Sequence, residues 1–204
     1  MSGDDRRQAR VRRARDLAER YPHAREALVF YARLIEFRGD ESELRDLVIM
    51  YGPAMLREAA RFGQEPALSF YRRVLERISP PSRQAPHSNR CPQCGQPPQA
   101  GVLHAEGHGT AFHLLCSTCL GEWAFPRSQC PHCGSIGELA FYGTDLLPHI
   151  QTQMCDACHR YLHVINLAKD PQAAPDVDEV AALPLDVWAI EQGFQKVQEN
   201  LIGI

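Results

Sequence analysis

All eight cysteines of this 204-residue chain fall between positions 91 and 158, as four Cys-x-x-Cys pairs: Cys91/Cys94, Cys116/Cys119, Cys130/Cys133 and Cys155/Cys158. Twenty-one residues separate the first pair from the second and again the third from the fourth, but only ten separate the second from the third. A shift of 39 positions lays Cys91-Pro92-Gln93-Cys94-Gly95 on Cys130-Pro131-His132-Cys133-Gly134, and Cys116/Cys119 on Cys155/Cys158. The stretch is a tandem duplication, and each copy is one complete four-cysteine unit.

Two such units read as two tetrahedral sulfur sites, because paired C-x2-C motifs about twenty residues apart are the spacing of a metal ribbon. Each pair forms a knuckle whose thiolates face the same way. Pro after the first cysteine fixes the backbone, and Gly after the second permits the positive φ that turns amides back towards sulfur. Structural disulfides are the nearest alternative, and a soluble chain that opens on no signal peptide argues against them. Thioredoxin-like redox pairs are a second, but no pair opens a helix in a βαβ pattern. Four thiolates suit either zinc or iron, and the spacing does not choose between them.

A closed four-cysteine site leaves no coordination position for a substrate. Elsewhere there is no Gly-x-Ser-x-Gly, phosphate loop or dinucleotide fingerprint. The expectation is therefore a protein that is not an enzyme. No segment is apolar for long enough to span a bilayer, and the arginine-rich start is followed by no apolar run, so the expected location is the cytoplasm and no membrane partner is expected.

Charge divides the chain. Residues 1–90 hold eighteen arginines and no lysine against thirteen Asp and Glu, whereas residues 91–204 hold four basic and twelve acidic residues. Metal-bound thiolates add further negative charge to the second half, which disfavours nucleic acid as a partner of the ribbons.

The first half reads as a bundle of four or five short helices. A charged one over Asp4 to Arg20 carries a weak apolar stripe (Val11, Ala14, Leu17, Ala18) and is expected to be peripheral. Pro22 opens a stronger one that stops at Gly39; Asp40 caps the next with Glu43 as its capping-box partner; Pro53 and Pro66 start the last two. The aromatics read as core, and the scattered arginines as a solvated face rather than a dock for an acidic peptide. Residues 79–90, with three prolines and no apolar pattern, read as a linker.

Within the first copy, Gly101 to His104 and Thr110 to Leu115 flank Glu106-Gly107-His108-Gly109, a hairpin pattern. Leu139 to Tyr142 and Ile150 to Met154 take the same places in the second. Trp123 and Phe125 align with Leu162 and Val164 as alternating apolar positions, expected to give each ribbon its own small core. His104, His108, His113, His132, His159 and His163 are read as surface or outer-shell residues, since four cysteines leave no vacancy. In the tail, Asp176, Asp178 and Glu179 read as a cap with first-turn charges rather than an acidic metal site. Pro184 then opens a helix with Leu185, Val187, Trp188, Ile190 and Phe194 on its apolar side.

The fold class that follows is α+β. A helical module (1–78) and linker (79–90) precede a duplicated four-cysteine metal-ribbon domain (91–168, as 91–129 and 130–168), zinc-ribbon-like in spacing. A C-terminal linker and amphipathic helix (169–204) complete it.

The assembled motifs resemble those of the FdhE-type formate dehydrogenase accessory proteins. The resemblance covers about 91–200. It rests on Cys91-Pro-x-Cys94-Gly95 with Pro97 and Gly101-Val102-Leu103, on Leu115-Cys116-Ser-Thr-Cys119 with Glu122-Trp123, and on Arg127 with Cys130-Pro-His-Cys133. It continues through Cys155-Asp-Ala-Cys158 with Tyr161-Leu162, the run from Asp178-Glu179 to Asp186, Glu191-Gln192-Gly193-Phe194, and Asn200. The helical module is shorter than is usual in the family, and His163 stands where a lysine is common.

The resemblance implies a cytoplasmic, chaperone-like factor in the maturation of molybdenum- or tungsten-dependent formate dehydrogenases, with the catalytic subunit as partner. It also implies rubredoxin-like knuckles and an association with iron: one ion on Cys91, Cys94, Cys116 and Cys119, another on Cys130, Cys133, Cys155 and Cys158. Two other readings stand beside it: a redox-active iron protein in cofactor maturation and, more weakly, a nucleic-acid-binding ribbon. Oligomeric state is left open.

Overall fold

The computed structural model describes residues 3–82 and 88–203, so the linker expected at 79–90 lies partly outside the described residues. Helix α1 spans Gly3–Arg20, a 3-10 turn covers Pro22–Ala24, and α2 (Arg25–Glu36), α3 (Glu41–Tyr51), α4 (Ala54–Phe62) and α5 (Glu65–Ile78) follow. The capping box at α3 is formed: Asp40 Oδ1 accepts from the Glu43 amide at 3.0 Å, and Glu43 Oε2 accepts from the Asp40 amide at 3.0 Å. Gly63 ends α4 at φ 63°, a left-handed turn that suits glycine.

Helix α1 is not peripheral. Val11, Ala14, Leu17 and Ala18 are all buried, and they join Leu28, Phe30, Leu34 and Phe70 in one apolar cluster. Four small or medium side chains were enough, because α2 and a tail helix close over them.

Six strands form the main path of one sheet: β1 (Pro98–Glu106), β2 (Gly109–Cys116), β3 (Glu122–Ala124), β4 (Leu139–Gly143), β5 (Ile150–Cys155) and β6 (Arg160–Asn166). Their order is β3-β2-β1-β6-β5-β4. Each copy of the duplication is thus a three-stranded antiparallel meander, and the two meanders join where β1 runs parallel to β6, with Gly101 opposite Val164 and Leu103 opposite Asn166. The remaining length of that edge of β6 pairs with β7 (Gln195–Lys196), Arg160 lying opposite Gln195. A Cβ on Gly101 would stand 2.5 Å from the Phe112 ring and 3.2 Å from Val164, so the glycine is what lets ring and strand approach.

The sheet buries both faces. Ala100, Val102, Leu115, Ile150 and Ile165 point to the helices and share their core. On the opposite face Leu103, Phe112, Leu114, Phe125, Leu162 and Val164 form a second cluster, with Trp123 packed on it. The alternation read from Trp123, Phe125, Leu162 and Val164 is present, but the two ribbons share this cluster instead of holding one each, because their sheets are continuous.

The tail forms α6 (Pro175–Ala181) and α7 (Leu183–Glu191). Every residue from Asp176 to Ala181 is buried, since α6 lies between α1 and α2 on one side and β1 and β6 on the other. On α7 the buried residues are Leu185, Asp186 and Ala189, whereas Val187 and Ile190 are 56% and 62% exposed. The apolar side expected for this helix is therefore divided: Leu185 joins the helical core and Trp188 and Phe194 pack against Met154 and Tyr161, while Val187 and Ile190 face outwards. An acid, Asp186, faces inwards because the sheet offers it partners.

Candidate metal centres and a buried polar network

The first knuckle precedes β1 and the second follows β2, and the antiparallel pairing that sets Pro98 opposite Cys116 brings them together. Cys91 Sγ lies 3.5 Å from Cys119 Sγ, and Cys94 Sγ lies 3.3 Å from Cys116 Sγ. Gly95 at φ 74° returns its amide to the Cys91 carbonyl at 2.9 Å, and the Thr118 and Gly121 amides reach Cys116 Sγ and Cys119 Sγ at 3.4 Å each. In this cluster Cys91, Cys94 and Cys116 are buried and Cys119 is half-buried.

The second cluster repeats these features 39 positions on. Cys130 Sγ and Cys158 Sγ are 3.8 Å apart, as are Cys133 Sγ and Cys155 Sγ. Gly134 sits at φ 79°, and the positive-φ non-glycine residues Leu120 and His159 are equivalents in the same register. Here, however, Cys133 is exposed and carries the Ser135 hydroxyl at 3.2 Å.

Within each quartet the sulfurs all lie within 4.8 Å of one another. A tetrahedral ion with metal–sulfur bonds of about 2.3 Å needs sulfurs about 3.8 Å apart, so both quartets fit. Burial pushes the Cys116 and Cys158 thiols far up and Cys119 to about 11. The Ser135 hydroxyl holds Cys133 down to about 6. A dication between the sulfurs would remove this conflict, because it favours thiolate at every ligand. Because β1 and β6 run parallel and each starts just after a knuckle, both quartets lie at the same end of the sheet.

The three tail acids expected as a cap with first-turn charges are buried and paired, Asp176 and Asp178 lying in the first turn of α6. Asp176 takes Arg10 and the Tyr31 hydroxyl, the latter at 2.7 Å. Asp178 Oδ2 accepts from Arg13 Nε at 3.0 Å, and His149 Nε2 lies 2.7 Å from its Oδ1. Glu179 accepts from Asn200 at 3.0 Å and Gln99 at 3.2 Å and pairs with Lys196. Asp186 gathers Lys196 at 2.9 Å, the Tyr161 hydroxyl at 2.9 Å and His163 Nε2 at 2.8 Å. The positive charge a metal would bring to these acids is supplied by Arg10, Arg13 and Lys196.

Models of the FdhE family match the chain over 90–127 as "FdhE, central domain" and over 128–202 as "FdhE, C-terminal domain". The chain belongs to the FdhE family. The FdhE homologue of Aquifex aeolicus (strain VF5) is 38% identical over 118 residues, covering 56% of this chain and 42% of that one. The Haemophilus ducreyi FdhE homologue is 35% identical over 131 residues, covering 63% and 43%. The Yersinia pestis (strain Pestoides F) homologue is 28% identical over 171 residues, covering 79% and 55%. The chain thus spans about half the length of the curated relatives it matches. The crystal structure of the FdhE protein from Pseudomonas aeruginosa has the same fold: the TM-score is 0.67 at 20% identity, over 99% of this chain and 96% of that one.

Several residues of the FdhE resemblance lie inside the molecule. Asp178, Glu179, Asp186 and Asn200 are each at most 2% exposed and belong to the polar network. His163, expected near the surface or outside a metal shell, is fully buried between Thr152 and Asp186. His104 approaches Glu122 at 2.6 Å, His108, His132 and His159 are exposed, and His113 is half-buried. Sequence reasoning missed Arg10, Arg13, His149 and Lys196. The available signal was the flanking of the three tail acids by Val177, Val180, Ala181 and Ala182, which leaves α6 no polar face.

Proposed function

We propose that this chain is an accessory factor in the maturation of formate dehydrogenase. In this reading Cys91, Cys94, Cys116 and Cys119 hold one ion of iron or zinc, and Cys130, Cys133, Cys155 and Cys158 the other. The chain catalyses nothing itself and works in the cytoplasm, where it binds the catalytic subunit. Membership of the FdhE family supports the role. The observation that carries the mode of action is the placement of two closed all-cysteine quartets at one end of a continuous sheet. Each quartet uses four side chains of one type and leaves no ligand position for a substrate, so the ions pin knuckles and present a surface. Arg10, Arg13 and Lys196, paired with the tail acids, hold the helical module and tail against the sheet that carries that surface.

Affinity capture from cells making both proteins tests this: the catalytic subunit should co-purify, and its absence from the eluate sinks the reading. A redox role is the second reading, favoured by the exposure of Cys133 at the second quartet, since a four-thiolate iron centre cycles by one electron. Protein purified without oxygen that contains zinc alone would remove it.

A further inference from the structure

A groove of ≈ 1040 Å³ runs between α1, the end of α2 and the first cysteine quartet. Six arginines line it: Arg6, Arg7, Arg10, Arg12, Arg13 and Arg38. The carboxylates in its walls are Asp16, Glu122 and Asp176, and each already holds a cation or histidine: Arg20, His104 and Arg10. Arg7 pairs with Asp4, and Arg13 with Asp178 and Asp170. Among the described residues Arg6, Arg12 and Arg38 pair with no carboxylate, and all three are exposed. Arg38 donates to the Ile35 carbonyl at 3.2 Å, and its partial desolvation together with repulsion from Arg7 and Arg10, offset only in part by Asp4, disfavours its charge.

The groove adjoins a smaller cavity of ≈ 260 Å³, which shares Arg10, Arg38, Cys119 and Leu120 with it and is also lined by Arg77. Arg77 donates to the Tyr31 hydroxyl at 2.6 Å, to Gln99 at 3.0 Å and to the Ser117 carbonyl, and its buried Nε has no partner among the described residues. Leu115, Leu120, Pro171 and Pro175 supply an apolar wall along the way. The cleft therefore offers uncompensated guanidinium groups, an apolar wall and an adjoining cavity to which Arg77 contributes.

We propose that this groove binds an acidic peptide segment of a partner protein, its carboxylates on Arg6, Arg12 and Arg38, its apolar side chains on Leu115 and Leu120, and one carboxylate in the cavity before Arg77. Arginine forks match carboxylates in pairs of hydrogen bonds. A peptide suits the cleft better than nucleic acid, because the opposite wall carries prolines and Glu122 and belongs to the acidic half of the chain. That the segment comes from a formate dehydrogenase subunit rests on the proposed function; the binding of acidic peptide does not.

The test uses the metal-loaded full chain and fluorescence anisotropy with a labelled decapeptide of alternating Glu and Leu. A Lys-Leu peptide and a ten-nucleotide single strand serve as controls. The Glu-Leu peptide should bind, weaken with added salt, and bind about tenfold more weakly to Arg6→Ala/Arg12→Ala/Arg38→Ala, since three exposed charge pairs are lost. Unchanged affinity in the triple variant overturns the proposal, as does equal or tighter binding of the oligonucleotide. Absence of peptide binding, with metal content falling in the variant, also overturns it and assigns the arginines to offsetting the thiolate charge of the first quartet. Failure to capture a formate dehydrogenase subunit would count against the proposed function and leave a positive anisotropy result standing.

Discussion

Arg13 on α1 and Asp178 on α6, 165 positions apart, meet in the interior with Nε to Oδ2 at 3.0 Å, the arginine 7% exposed and the aspartate 0%. Asp178 also accepts the Ala174 amide at 2.8 Å, so one side chain both caps its own helix and ties the first helix to the tail. Arg13→Leu leaves a buried carboxylate without its cation. The expected loss is about 3–5 kcal/mol of unfolding free energy, measured by urea denaturation. A loss under about 1 kcal/mol, typical of surface pairs, would show that the pair does not dock the two segments.

Acid should unfold the protein through the same network. Burial opposes ionisation of Asp170, Asp176 and Asp186, yet Arg13, Arg10, and His163 with Lys196, respectively, hold the three carboxyls below the usual range. Groups whose folded pKa is depressed contribute stability that is complete above the unfolded carboxylate pKa of about 3.9 and is lost as the pH falls towards the folded value. The urea midpoint should hold between about pH 7 and 5 and drop steeply below about pH 4. The gap between the wild type and Asp186→Asn should narrow over the same interval. Metal content is followed in parallel, because thiolate protonation releases metal on its own. A gap constant down to about pH 3 contradicts the assignment of Asp186.

The quartets should part company under a chelator. Cys133 is exposed, whereas the first quartet has three buried cysteines and one half-buried. Metal release followed by absorbance should show two phases of similar amplitude. Cys133→Ser should abolish the faster phase and bring the metal content from about two ions per chain to about one, with the helical module still folded. Release in a single phase in the wild type would make the sites equivalent.

Gly101→Ala tests the junction of the two meanders. The added methyl would press on Phe112 at 2.5 Å, a ring packed among Leu103, Leu114, Phe125 and Val164. Overpacking of this kind costs about 1–3 kcal/mol. Gly107→Ala serves as a control, with nothing among the described residues within 4 Å of its added methyl and only a strained φ of 53° to bear. The thermal shift of Gly101→Ala should exceed that of the control, and the reverse order would mean that the ring moves aside freely.

The cysteine register, the capping box at Asp40 and the hairpin at Gly107 were legible because each is a local pattern with a local physical cause. What escaped was long-range. Nothing near Val11 or Ala14 says that α6 will cover them, so α1 read as peripheral. Asp176, Asp178 and Glu179 look like ordinary first-turn acids unless Arg10, Arg13 and Lys196 are known to converge on them. On α7 Leu185, Trp188 and Phe194 pack inwards as their spacing suggests, but Val187 and Ile190 lie outside while Asp186 is drawn inwards by Tyr161, His163 and Lys196 on the sheet. Only the tertiary pairing of charge resolves that choice.

The meanders join by unlike edges, the first strand of one copy against the third strand of the other. Such a contact does not close on itself, and repeated in free units it would propagate as a filament. Carrying two copies in one chain halts the growth after a single step, with β3 and β4, only three and five residues long, as the terminal edges. The two third strands differ accordingly: β6, at the seam, is seven residues long, while its outer counterpart β3 has three. The sheet is thus a two-unit array capped by its own short ends.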